Sequence, residues 1–132
     1  LELLHATGRP QGLLESCWGG TPIEAWSSPA AIAACGKDLS APTSVQLSDE
    51  DRLEAGAGAA TSSLWNGMIA PLVGVPIKGA LWYQGEANAK RGNAYACQLK
   101  AMITDWRSHF AQLPGAGAPF AFTTVQIAAA GG

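Results

Sequence analysis

The stretch that most constrains the fold is Ile77-Lys78-Gly79-Ala80-Leu81-Trp82-Tyr83, a near-continuous apolar run that breaks abruptly into Gln84-Gly85-Glu86-Ala87-Asn88. Such a run predicts a strand buried in a parallel sheet. Beyond it, Tyr95, Leu99, Met102, Ile103, Trp106 and Phe110 recur at the period of a helix that buries one face. Pro114 and Gly115 end that helix, and residues 120–127 read as a further strand. With the strand and helix predicted upstream, this order implies an α/β layer fold with a parallel sheet.

Upstream, residues 1–7 read as a helix ended by Gly8 and Pro10, and residues 12–16 as a short strand running into Trp18-Gly19-Gly20. Thr21-Pro22-Ile23-Glu24 has the form of a capping box, with a hydroxyl at the cap, proline where its missing N–H costs nothing and glutamate three positions after the threonine. A helix is expected to start at Pro22. Residues 36–63 are rich in Gly, Ala, Ser and Asp and read as a mobile surface insertion, after which residues 64–72 return to apolar character.

At 132 residues the chain is one domain or part of one. Charged residues make up 14%, with 10 acidic against 8 basic and no run of either sign, which argues against nucleic acid or an anionic membrane as partner. A small or neutral partner fits better. No apolar stretch approaches the roughly 20 residues that span a bilayer, and residues 1–12 lack the pattern of a signal peptide. The absent initiating methionine and the alanine and glycine run at 128–132 suggest a piece of a longer chain. Cys17, Cys35 and Cys97 leave at least one thiol unpaired and lack the spacing of a structural zinc site, so they do not fix the redox compartment.

In open parallel α/β sheets ligands collect at the carboxyl ends of the strands, where two unusual segments are expected. The first, residues 16–24, contains the turn Gly19-Gly20, whose backbone N–H groups suit a developing oxyanion. The second presents Gln84, Glu86 and Asn88 within five residues. Each segment alone also reads as ordinary punctuation, a strand-to-helix turn in one case and a solvated turn in the other. Asp105 and His109, four apart on the amphipathic helix, read as a surface pair rather than a catalytic one. Cys17 reads as a buried or idle thiol, because His5 and His109 both fall in predicted helices. Of the tryptophans, Trp18 and Trp26 flank the glycine turn and serve either as core or as a sugar-stacking wall.

The combination is more specific than its parts. Residues 12–26 (GLLESCWGGTPIEAW), 64–72 (LWNGMIAPL), 78–88 (KGALWYQGEAN) and 101–107 (AMITDWR), in this order, resemble the sialate O-acetylesterase family. The resemblance implies a three-layer α/β/α SGNH-hydrolase-like domain with a parallel sheet, incomplete in this chain, of which residues 1–132 form part. It implies no metal or organic cofactor, an O-acetylated sugar as partner, and an extracellular or lysosomal location. The implied reaction is hydrolysis of acetyl esters on sialic acids or related sugars through an acyl-serine. In that resemblance Gly19 or Gly20 gives a backbone N–H to the oxyanion hole and Gln84 gives a side-chain donor. Trp18, Thr21, Glu86 and Asn88 then orient the site or the sugar.

The family's nucleophilic serine lies in a Gly-Gln-Ser-Asn-Met segment and its base in an Asp-x-x-His segment, and these 132 residues contain neither. Position 17 is cysteine where the family usually has serine, and residues 36–63 have no counterpart in the resemblance. The 132 residues alone are therefore expected to lack useful esterase activity. Two other readings compete: a degenerate sugar-binding protein that kept the pocket, and an acetylesterase acting on a polysaccharide such as xylan.

Overall fold

A computed structural model describes residues 2–36, 60–110 and 119–127. Most of the expected insertion (37–59), the helix-ending Pro114 and Gly115, and the terminal run 128–132 lie outside the described residues.

The predicted strand-helix-strand unit is present. Strand β1 (Gly79–Trp82) pairs in parallel with β2 (Ala121–Thr124), in the register Gly79↔Ala121 to Trp82↔Thr124. The two approach closely enough that a Cβ on Gly79 would stand 3.1 Å from the Ala121 carbonyl oxygen, a tight contact that glycine avoids. Mixed helices with this small parallel sheet give an α/β arrangement. The strand is not buried on both faces as its apolar run suggested: Trp82 faces the core, but Leu81 is 85% exposed and Tyr83 also faces outward. Among the described residues only one face of β1 is covered, so its side chains alternate.

Helices α1 (Glu2–Thr7), α2 (Ile23–Trp26), α3 (Pro29–Ala34) and α4 (Gly92–Phe110) accompany the sheet. Gly8 ends α1 in a left-handed conformation (φ 63°), with its N–H on the Leu4 carbonyl at 2.8 Å. Residues 12–16, expected as a strand, are irregular, and Leu13 is 87% exposed. No described strand pairs with them, and an isolated apolar run cannot satisfy its backbone as a strand.

The helix expected at Pro22 starts at Ile23, with Pro22 as its cap and no side-chain cap from Thr21. Thr21 Oγ1 instead donates to the Trp18 carbonyl at 2.7 Å and accepts the Trp26 indole N–H at 2.9 Å. The working cap follows one turn later, where Ser28 Oγ accepts the Ala31 N–H at 3.1 Å and Pro29 occupies the first turn of α3. Residues 65–72 form a π-helical turn (Trp65–Ile69) and a 3₁₀ turn (Ala70–Leu72).

Along α4 the fully buried positions are Gln98, Met102, Trp106 and Phe110, each four apart, while Tyr95, Leu99 and Ile103 are half-buried beside them. Gln98 was not foreseen in this stripe; its Nε2 donates to Ser27 Oγ at 2.8 Å, while its Oε1 has no hydrogen-bond partner among the described residues. The core is dominated by aromatic edges: Trp82 packs at 88° against both Trp26 (6.0 Å) and Trp106 (5.9 Å), and Phe110 meets Phe120 at 5.9 Å. A disulfide joins Cys35, at the end of α3, to Cys97 on α4, and Cys17 is the free thiol.

Candidate active site

The two segments singled out in the sequence meet. Gln84 Nε2 donates to the Thr21 carbonyl at 3.0 Å and to Asn88 Oδ1 at 2.8 Å, so the turn after β1 is bonded to the glycine turn 63 positions earlier. Asn88 Oδ1 also accepts the Ile23 N–H at 2.9 Å. This satisfies one of the orphan donors at the start of α2, the function expected of Thr21. Asn88 Nδ2 donates to Glu24 Oε2 at 2.8 Å, and Glu24 Oε1 pairs with Arg91 at 3.2 Å. Asn88 and Glu24 are buried, so this is a desolvated network in which each polar group needs its partner.

On the glycine turn, Gly19 and Gly20 are exposed, and neither N–H donates to another backbone group among the described residues. Gly20 has φ 69°, which glycine adopts without steric cost. Trp18 is 45% exposed on the same turn, whereas Trp26 is buried and belongs to the core. Thr21 is buried as well. Glu86 is exposed at the start of a 3₁₀ turn (Glu86–Arg91).

A cavity of about 300 Å³ opens beyond the carboxyl ends of β1 and β2. Its wall includes Trp82, Gln84, Asn88, Tyr95, Leu99 and Ile127. This is where ligands gather in parallel sheets, but Gly19 and Gly20 are not among the described residues of its wall. Tyr95 anchors the turn: its hydroxyl donates to the Gln84 carbonyl at 2.9 Å and accepts the Trp82 indole N–H at 3.1 Å. Burial raises the Tyr95 pKa above its ordinary value, with the Glu86 and Glu24 charges adding to the shift and the Trp82 bond opposing it. Gly85 fits closely here, since a Cβ would stand 3.0 Å from the Ile127 δ-methyl.

Cys17 is exposed, not buried, and its thiol donates to Glu15 at 3.3 Å. That carboxylate raises the thiol pKa, the opposite of nucleophile activation. His109 lies 3.6 Å from Asp105 and packs at a tilt of 51° against Trp65, with 5.0 Å between ring centroids. His5 is on exposed α1. No group of three metal-ligating side chains occurs among the described residues, and no helix among them is long and apolar enough to cross a membrane.

Sequence reasoning placed Glu24 at the edge of the first segment without a role in the site, and did not name Arg91. Glu24 carried a local signal, but for a capping box, and a contact with Asn88 across 64 positions leaves no periodic trace in one sequence.

Comparison with known proteins gives a consistent result. A family model described as carbohydrate esterase, sialic acid-specific acetylesterase, matches residues 1–129. The chain is 44% identical over 104 residues to the sialate O-acetylesterases of Pongo abelii and Homo sapiens, covering 76% of this chain and 18% of each relative. It is 40% identical over 122 residues to the sialate O-acetylesterase of Rattus norvegicus, covering 76% of this chain and 22% of the relative. The chain thus spans about a fifth of the length of these curated relatives.

Proposed function

The chain belongs to the carbohydrate esterase family of sialic acid-specific acetylesterases, and from that premise we propose that the protein carrying it hydrolyses O-acetyl esters of sialic acids or related acetylated sugars through a serine acyl-enzyme. Its nucleophile and its aspartate and histidine lie outside these 132 residues in this reading. Residues 1–132 are part of a three-layer SGNH-type domain, in which further strands complete the sheet begun by β1 and β2.

The observation that carries the reading is the bond from Gln84 to the Thr21 carbonyl, which joins the two turns into one unit. Gly19 and Gly20 supply backbone N–H groups to the oxyanion of the tetrahedral intermediate. Both N–H groups of Gln84 already meet protein acceptors, so Gln84 reaches the oxyanion by exchanging its Thr21 bond for the developing negative charge. Trp18 and Glu86, both exposed, face the sugar, while buried Thr21 and Asn88 hold the two turns in register.

The test is release of acetate from O-acetylated sialic acid by the full-length protein, with acetylated xylan as the competing substrate. Turnover of the sialic acid ester supports the reading, and preference for xylan moves the substrate class. The committed amide of Gln84 also suits a sugar-binding protein that performs no chemistry. Saturable binding of the sugar with no acetate released would replace hydrolysis by that function.

A further inference from the structure

We infer that Glu24, held by Arg91, is a positioning residue that sets the direction of two amides in series, Asn88 and then Gln84. Only the kinetic consequence of this inference rests on the proposed esterase function.

A carboxylate can only accept hydrogen bonds. Glu24 Oε2 therefore draws the Nδ2 end of Asn88 toward itself at 2.8 Å. The Oδ1 end is thereby turned toward two donors, the Ile23 N–H and Gln84 Nε2. Were Asn88 reversed, its amide nitrogen would face both donors, and its carbonyl would face a carboxylate. The same logic passes to Gln84, whose nitrogen end is held between Asn88 Oδ1 and the Thr21 carbonyl. A reversed Gln84 would set its carbonyl oxygen against two other oxygens. One buried charge thus determines which end of Gln84 faces the glycine turn.

Arg91 makes that charge tenable. An unpaired carboxylate at the low exposure of Glu24 would be strongly destabilising, and Arg91 at 3.2 Å supplies the counter-charge from the 3₁₀ turn that also carries Asn88. Among the described residues lining the cavity neither Glu24 nor Arg91 appears, so they act through Asn88 rather than on a ligand.

The experiment uses the full-length protein with Glu24→Gln, Glu24→Leu and Asn88→Asp. Two quantities are read, hydrogen exchange at the Ile23 amide and the kcat and KM of acetate release. Glu24→Gln keeps an acceptor for Asn88 and is expected to retain Ile23 protection and most of kcat. Glu24→Leu removes the acceptor and is expected to speed Ile23 exchange by about tenfold, the worth of one hydrogen bond. Its kcat is expected to fall by about 100-fold, as for a mispositioned donor, with KM little changed.

Asn88→Asp places two carboxyl groups in contact, which must share a proton to keep the geometry. Among the described side chains, the other ionisable groups around position 88 are Arg91 and Glu86 on its own turn and Tyr95 on α4. Ile23 protection and kcat in this variant are expected to recover as pH falls, an acid dependence absent from the parent.

Unchanged Ile23 exchange and kcat in Glu24→Leu overturn the inference. If that variant does not fold, pH-independent protection and activity in Asn88→Asp overturn it instead. If the parent itself releases no acetate, the esterase reading fails while the exchange measurements still decide the relay.

Discussion

Asn88 Oδ1 accepts the Ile23 backbone N–H at 2.9 Å, so the first turn of α2 is capped by a side chain 65 positions further along the chain. A local capping box would stabilise α2 on its own. The remote cap makes α2 depend on the turn after β1, and ties the two candidate turns to one another.

Asn88→Ala is accordingly expected to destabilise the protein. It leaves the Ile23 N–H without its acceptor and removes a donor from buried Glu24, and an unsatisfied buried polar group costs about 1–3 kcal/mol. The midpoint of urea denaturation checks this, and an unchanged midpoint would show that the cap contributes little.

The Cys35–Cys97 disulfide closes a loop with a sequence separation of 62 and fastens α3 to α4. In the chain-entropy account a loop of this size is worth about 4 kcal/mol. Reduction, or Cys35→Ser with Cys97→Ser, is expected to lower the denaturation midpoint clearly. Cys17→Ser is expected to leave it unchanged, because that exposed thiol hydrogen-bonds only Glu15 among the described residues.

Tyr95 should impose an alkaline limit on stability. Its raised pKa means that the folded chain holds the phenol proton more tightly than the unfolded chain. The stabilisation is complete below the ordinary value of 10.0 and is lost as pH climbs through the folded value. Tyr95→Phe is expected to be less stable at neutral pH, having lost bonds to Gln84 and Trp82, but to decline less steeply above pH ~10. Parallel stability–pH curves for the two proteins would contradict the assignment.

Met102 has no exposed surface and lies at the centre of the α4 stripe. Met102→Ala is expected to cost about 2–5 kcal/mol through lost burial and the cavity left behind. Equilibrium unfolding measures this, and a cost near zero would mean that the aromatic core collapses into the gap.

What was legible in the sequence was whatever depends on periodicity or on a turn signal. The α4 stripe, the strand before Gln84, a further strand near residue 121 in a parallel sheet and the helix ended by Gly8 all follow from such signals, while the direct pairing of the two strands is seen only in the structure. The limits were equally physical. The apolar run at residues 12–16 looks like a strand, but strand formation requires a neighbour, which no local pattern supplies. Thr21 and Glu24 have the composition of a capping box, yet each finds another partner: Trp26, five positions on, for the hydroxyl, and the distant Asn88 with Arg91 for the carboxylate. Position at the strand ends singled out the two turns and the family resemblance gave them expected roles, while the bonds joining them became visible only in three dimensions.

The most direct test of the account is the effect of Gln84→Ala on acetate release by the full-length protein, compared with its parent at matched folded fraction. If Gln84 gives its amide to the oxyanion, kcat is expected to fall by about 10²–10³-fold with KM little altered, the signature of a lost transition-state donor. A kcat unchanged by the substitution would contradict the account, and would leave Gln84 as a staple between the two turns with no part in the chemistry.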